Sequence, residues 1–265
     1  MLNEAAKVIT KVRNKVPLVQ AITNYVTVND CANILLAFGA SPAMVEAYDE
    51  VYDFAAMSSA VYINLGTLTK EQEEAAVLAS ISAKVNNVPV VLDPVACSVI
   101  PRKNLVIKRM LELGRVDVIK GNGGEIKFLA GQASKARGVD SVDDGEGLEE
   151  ACIDLAKKYN CVVAATGKED IITNGARVAI IQNGVEMLTK ITGAGCMLGA
   201  LCSAAIGAEK DSFIAVVNAV LSMNLAGEAA YEEVQLPGSF RTKLIDNIYL
   251  LSEEKYMKEG KVIWK

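Results

Sequence analysis

Residues 62–65 and 88–92 are compact runs of aliphatic and β-branched residues, and the 70–85 stretch between them is rich in Glu and Ala at helical spacing. Strand, helix and strand in that order form a βαβ unit, because a tight turn cannot join parallel strands and a crossover must. The pattern recurs along the chain. Leu18 to Ile22 reads as a short strand, followed by a helix at Cys31, Ile34, Leu35 and Phe38 that Gly39 closes; residues 116–119 give a strand after a helix over 105–113. A helix over 2–14 precedes Pro17, a short one spans 125–129, and a longer one 148–159. Strands at 161–165, 170–173 and 178–181 follow, and the last third is helical, with 213–230 apolar on nearly every face. These spacings predict an α/β fold with a mostly parallel central sheet between helical layers. No composition shift, linker or repeat divides residues 1–265, so a single domain without a separate lid domain is expected. The polar stretch from Ser134 to Gly147 is the one loop candidate long enough for a lid or an excursion.

With 265 residues and 51% hydrophobic content the chain can bury a large core, and a net charge of −5 without a basic block argues against nucleic acid or an anionic membrane as partner. No apolar run approaches the roughly 18 residues of a membrane span, and the N-terminus, with Glu4 and Lys7, lacks a signal-peptide core. Cys31, Cys97, Cys152, Cys161, Cys196 and Cys202 are scattered without a C-x-x-C pair, which predicts free thiols in a reducing cytoplasm. There is no histidine. Triads, imidazole acid/base chemistry and imidazole metal ligands are thereby excluded, and proton transfer falls to Asp, Glu, Cys, Lys or Tyr.

Ile191-Thr192-Gly193-Ala194-Gly195-Cys196 runs directly into a small-residue apolar stretch over 197–208, so a buried helix starts at a glycine turn. Its first N–H groups and dipole favour an anion; a turn that merely tightens a strand-to-helix connection is the alternative. In parallel sheets ligands bind at the carboxyl ends of strands. Those ends carry Gly66 and Thr67, Asp93 and Pro94, Lys120, Gly121, Asn122 and Glu125, then Thr166 and Gly167. Asp93 and Glu125 leave one rim as hard oxygen donors that suit Mg²⁺ on nucleotide phosphates. Asn122 also reads as the N-cap of the short helix, and Lys120 as either a solvated charge or a phosphate contact. No G-x-x-x-x-G-K-[S/T] sequence occurs, so the phosphates are not held by a Walker loop. Two carboxylates and an anion cradle on one rim point to phosphoryl transfer. A thiol at a helix N-terminus titrates below about 8.5, so Cys196 is expected to offer a thiolate fraction.

Ile22-Thr23-Asn24, Gly39-Ala40-Ser41-Pro42-Ala43-Met44, Asn64-Leu65-Gly66-Thr67-Leu68, Asp93-Pro94-Val95, Gly121-Asn122 with Glu125, Thr166-Gly167, the 192–196 stretch and Pro237-Gly238-Ser239-Phe240 occur in an order and spacing that resemble the hydroxyethylthiazole kinases of the ribokinase-like superfamily, along nearly the whole chain. The resemblance implies a three-layer α/β/α ribokinase-like fold and ATP-dependent phosphorylation of 4-methyl-5-(2-hydroxyethyl)thiazole in thiamine salvage. It implies that Asn24, Val26 and Met44 contact the thiazole, with Gly66, Thr67 and Gly193 completing the pocket. Lys120, Asn122, Thr166 and Gly167 would serve ATP, and Asp93 with Glu125 would serve Mg²⁺. Cys196 would stand at the base position, where the wider superfamily has Asp, beside the Gly193, Ala194 and Gly195 cradle. A homotrimer with sites between subunits is also implied. Family members commonly carry Arg where Lys120 stands, and lysine keeps the charge without the bidentate fork. A related enzyme acting on another heterocyclic alcohol, an ATP-dependent hydrate dehydratase and a binding module without turnover are the other readings; the 40–44 stretch argues against the first two.

Overall fold

The structure, a computed structural model, describes residues 1–132 and 147–265. The chain runs α1 (Leu2–Lys15), β1 (Leu18–Ile22), α2 (Val28–Phe38), β2 (Ser41–Ala43), α3 (Val51–Met57), β3 (Ala60–Asn64), α4 (Lys70–Val85), β4 (Val90–Asp93), α5 (Pro101–Leu113), β5 (Val118–Asn122) and α6 (Gly123–Leu129). It continues through α7 (Leu148–Tyr159), β6 (Val162–Thr166), β7 (Asp170–Thr173), β8 (Val178–Ile181), a short 3₁₀ turn (Glu186–Lys190), α8 (Ala194–Ala208), α9 (Ser212–Glu233), α10 (Pro237–Tyr249), α11 (Glu253–Glu259) and β9 (Val262–Trp264). The loop expected over 134–147 lies, except for Gly147, outside the described residues.

Among the described residues one sheet holds all nine strands, in the order β2-β1-β3-β4-β5-β6-β7-β8-β9. Strands β1 to β6 are parallel, as the repeated crossover spacing predicts, and β7, β8 and β9 extend the sheet as antiparallel neighbours. Side chains alternate between the two faces along each strand. Tyr62, Val91, Val118 and Val162 therefore join α1, α2, α8, α9 and α10 in one core, whereas Val61, Ile63, Val90 and Leu92 pack on α3, α4 and α5. Ile119, Val163 and Ala165 continue that second layer against α6 and α7. Helices on both faces of the sheet give the expected three layers.

Local sequence explains the helices. Ala5, Ala6, Val8, Ile9 and Val12 form the buried stripe of α1, and Val16 in the left-handed region ends it before Pro17. Thr69 and Gln72 close a capping box at the start of α4. In α8 the small residues let the helix lie close on the sheet, and eleven of its fifteen residues are buried. Three short elements carry too little periodicity to be legible: β2 is a three-residue edge strand containing Pro42, α3 has seven residues, and β9 has three. The expectation that no apolar run nears membrane length is corrected by α9. Within its 22 residues an 18-residue window reaches a mean hydropathy of 1.5, and 89% of that window is buried within the fold, where the core needs an all-round apolar helix.

Candidate active site

The last turns of the parallel strands set the site. Asn64 ends β3 beside Asp93, which ends β4, and Lys120 follows Ile119, the register partner of Leu92. The alternation that turns Tyr62, Val91 and Val118 toward α8 turns Asn64, Asp93 and Lys120 the same way. All three side chains are buried. Buried polar groups must be paired, and these pair with one another. Asp93 Oδ2 accepts from Asn64 Nδ2 at 3.0 Å and from Lys120 Nζ at 3.3 Å. The Tyr62 hydroxyl, with a single proton to give, lies 2.9 Å from the Cys196 carbonyl and 3.2 Å from Asp93 Oδ2.

Helix α8 begins at Gly193, whose φ of +84° is the left-handed conformation that glycine adopts without strain. No side chain caps this end, and the first intrahelical bond runs from Met197 N–H to the Gly193 carbonyl. The N–H groups of Ala194, Gly195 and Cys196 thus point out of the helix start, the expected anion cradle. Gly195 brings Lys120 to the same place: a Cβ there would stand 3.1 Å from Lys120 Nζ. A cation is unfavourable at a helix N-terminus, and Asp93 is what holds it there. Together the ammonium and the helix end make a concentrated positive field.

Cys196 is the third residue of α8, and its Sγ accepts from Asn64 Nδ2 at 3.3 Å and Asn24 Nδ2 at 3.4 Å. The expected lowering of its pKa is corrected. Burial first, then the Asp93 carboxylate, push the thiol above its ordinary value, and Lys120 with the side chains of Thr27 and Asn24 offsets only part of this. For Lys120, burial acts to lower the pKa, but Asp93, Glu125 and Cys196 outweigh it and hold the ammonium above its usual value. Burial and the Asp93 charge raise Glu125.

Glu125 is fixed by backbone. Its Oε1 accepts from Ala96 N–H at 2.7 Å and its Oε2 from Asn122 N–H at 2.8 Å, while Asn122 Oδ1 accepts from Glu125 N–H at 2.9 Å. Asn122 is therefore the N-cap half of a capping box on α6, whatever else it does. Thr166 pairs with Asn122 across β5 and β6 and donates its hydroxyl to the Gly121 carbonyl at 3.3 Å. Gly167 N–H is taken by Asp170 Oδ1 at 3.1 Å.

Hydrogen bonds and close approaches thus bring together Asn24, Gly66, Asp93, Lys120, Gly195 and Cys196, with Gly66 N–H donating to Asn64 Oδ1 at 2.9 Å. Gly193 packs against Thr27, the residue before α2. Val26 is exposed, but its N–H donates to Asn24 Oδ1 at 3.1 Å, which ties it to the Cys196 cluster. Met44 is half-buried against the larger core and Thr67 is exposed, and among the described residues no hydrogen bond ties these two to the cluster. Sequence reading assigned no role to the side chains of Asn64 and Tyr62. A polar residue closing a β-branched run at a strand's carboxyl end was the available signal for Asn64; Tyr62 sits inside such a run and gave none.

The hydroxyethylthiazole kinase family model matches residues 9–254. Hydroxyethylthiazole kinase 1 of Clostridium botulinum (strain 657 / Type Ba4) is 66% identical over 262 residues, covering 99% of this chain and 100% of that protein. The solved hydroxyethylthiazole kinase protein from Pyrococcus horikoshii OT3 is 36% identical and superposes with a TM-score of 0.90 over 98% of each chain. A ribokinase-like superfamily protein from Enterococcus faecalis V583, 12% identical with a TM-score of 0.60 over 95% of this chain and 83% of that one, shares the fold alone, which is ribokinase-like. By family model, identity and coverage together, the chain belongs to the hydroxyethylthiazole kinase family.

Proposed function

We propose that this chain transfers the terminal phosphoryl group of ATP to the hydroxyl of 4-methyl-5-(2-hydroxyethyl)thiazole, in thiamine salvage, as one kinase domain. The single observation that carries the reading is the uncapped start of α8, with Cys196 in its first turn and the buried Lys120–Asp93 pair against Gly195. Phosphoryl transfer through a loose transition state is catalysed mainly by positioning and by charge placed where it develops. After the Gly193 turn, Ala194, Gly195 and Cys196 offer N–H groups. Lys120 offers a fixed cation, and the Cys196 sulfur would stand beside the place from which the alcohol oxygen attacks the terminal phosphorus of ATP as ADP leaves. With its pKa raised, Cys196 is a modest proton acceptor, adequate because the alcohol loses its proton late. Asn24, Val26, Met44, Gly66, Thr67 and Gly193 would form the thiazole pocket; Lys120, Asn122, Thr166 and Gly167 would meet ATP.

Among the described residues no three Cys, Asp or Glu side chains converge as a metal cage. Asp93 is bound to Lys120, and both Glu125 oxygens accept backbone N–H groups. Such a donor set fits Mg²⁺, which keeps most of its water and phosphate ligands, and Asp93 and Glu125 would hold it. When bound, the ion neutralises phosphate charge. A homotrimer belongs to the same reading, supported by exposed Tyr25, Val26 and Tyr48 beside Asn24 and Met44, apolar surface that a neighbour would cover. A cytoplasmic location is supported by six free thiols. A coupled ADP-release assay over a panel of heterocyclic alcohols tests the function. Turnover with the thiazole alcohol is expected, and preference for a pyrimidine or vitamin-B6 alcohol, or no turnover at all, would sink it.

A further inference from the structure

Asp170 opens β7, across a tight turn from the end of β6, and is only 6% exposed. Its two oxygens do separate work. Oδ1 accepts Gly167 N–H at 3.1 Å, and Oδ2 accepts Nδ2 of Asn224, from α9, at 2.7 Å. Asn224 is buried and is itself fixed by donating to the Asn183 carbonyl at 2.9 Å. The core helix α9 therefore holds the carboxylate, and the carboxylate holds the turn that follows Thr166. On its other side Thr166 is anchored to β5 through the Gly121 carbonyl and its register with Asn122. None of these bonds reaches Cys196 or Asn64, so Asp170 stands outside the cluster around the sulfur.

A dry carboxylate is an expensive way to fasten a turn. Burial pushes Asp170 up to about 6, even though Asn224, Gly167 N–H and the charge of Lys120 on β5 all favour its ionised form. A neutral amide or hydroxyl would accept from Gly167 without that penalty. What ionisation adds is a charge-assisted bond, stronger than a neutral one, at the turn that follows β6. Because Gly167 N–H is committed to Asp170, Gly167 serves a ligand by backbone shape, not as a donor. We propose that Asp170 is a positioning residue for the nucleotide: it locks the Thr166 and Gly167 turn into the form that receives ATP and ADP. The proposal rests on reading Thr166 and Gly167 as nucleotide contacts.

The test is direct binding of ADP by calorimetry, with and without Mg²⁺, together with steady-state kinetics and thermal melts on the full chain. Asp170→Ala is expected to raise Kd for ADP and KM for ATP roughly tenfold while kcat and KM for the alcohol stay within about twofold. Asp170→Asn, which can still accept from Gly167, should recover most of that affinity. Asn224→Ala keeps the carboxylate on Gly167; it should lower Tm but leave Kd for ADP within about threefold of wild type. A merely structural role predicts the opposite ordering, affinity falling in step with Tm across the variants, and that result overturns the proposal. So does an Asp170→Ala protein with unchanged affinity. Should Asp170→Ala not fold, Asp170→Asn is read instead: KM for ATP must rise by at least about twofold, and an unchanged value overturns the proposal. A wild type that binds ADP but phosphorylates no thiazole alcohol defeats the proposed function and leaves this inference standing. A wild type that binds no ADP defeats both.

Discussion

Lys120 Nζ lies 3.3 Å from Asp93 Oδ2 with both side chains shut away from solvent, 5% and 2% exposed, and Gly195 is the residue whose missing side chain lets the ammonium stand at the start of α8. A buried ion pair of this kind is weak evidence for stability, since desolvation offsets much of the attraction. Its value is placement: a cation and a helix dipole act together on one anion. Removing one partner strands the other. Lys120→Met should therefore cost about 3–5 kcal/mol of stability, seen as a lower denaturant midpoint, because Asp93 is left buried without its cation. A midpoint within error of wild type would show that the pair is solvated in solution.

Gly195→Val tests the cradle from the other side. Its Cβ would fall 3.1 Å from Lys120 Nζ, and its branches would cover the open N–H groups. The variant is expected to fold, since the residue is exposed, yet to lose ATP turnover by at least about a hundredfold, the scale reported by removing a preorganised donor. Wild-type turnover in a folded Gly195→Val protein sinks the cradle.

Glu125→Gln keeps the size of the side chain and one acceptor oxygen, so it gives up one of the two bonds to Ala96 and Asn122 N–H. Stability should fall by about 1 kcal/mol. Turnover should fall much further, most of all at limiting Mg²⁺, if the carboxylate charge helps hold the ion. Titrating Mg²⁺ in the rate assay checks this, and superimposable curves for the two proteins remove Glu125 from the metal assignment.

Cys196→Ala should retain part of the rate, because positioning and electrostatics carry most of phosphoryl transfer. Cys196→Asp is expected to be at least as active as wild type. The two amides that donate to Sγ, Asn24 and Asn64, would donate to a carboxylate, and Lys120 would offset the new charge beside Asp93. The measurement is kcat for the thiazole alcohol in the three proteins, with melts as the folding control. A folded Asp variant that binds both substrates and does not turn over shows that Cys196 is not at the base position.

The sheet was legible where the physics is local. Runs such as Val90 to Leu92 and Val162 to Ala165 carry β-branched and small apolar residues that only a two-sided sheet buries, and the crossover lengths between them dictate parallel order. The rim followed from the same rule, which is why Asp93, Lys120 and Thr166 were visible as candidates. What stayed hidden depends on contacts distant in sequence. Asn64 meets Cys196 from 132 positions away, and Tyr62 looks like any core aromatic until α8 is laid on it. The direction of the Cys196 pKa was misread for the same reason: the helix N-terminus is local, but the burial and the Asp93 charge that overcome it are products of the fold.

Asp170 ties stability and nucleotide affinity to pH in opposite senses. Its native pKa is raised from 3.8 to about 6, so the folded state binds this proton more tightly than the unfolded chain does. Stability from this group is therefore fully present below about pH 4 and is lost as pH rises through about 6; the gap corresponds to about 3 kcal/mol as an upper bound. Asp170→Asn removes the proton-linked term. The difference in Tm, variant minus wild type, should become more positive between about pH 5 and pH 8. Affinity runs the other way. Protonation takes the charge from the bond to Gly167 and sets an O–H or a weaker acceptor against Asn224 Nδ2, so wild-type affinity for ADP should weaken as pH falls through about 6. Among the groups that bear on Asp170 are Lys120 on β5, Gly167 N–H after β6 and the Asn224 amide on α9, and Lys120, with its raised pKa, stays charged across this range. ADP itself carries a phosphate that titrates near pH 6, so the quantity to read is the ratio of wild-type to Asp170→Asn affinity at each pH. That ratio should fall on acidification, and a ratio independent of pH would mean that the ionised form of Asp170 contributes nothing to the nucleotide.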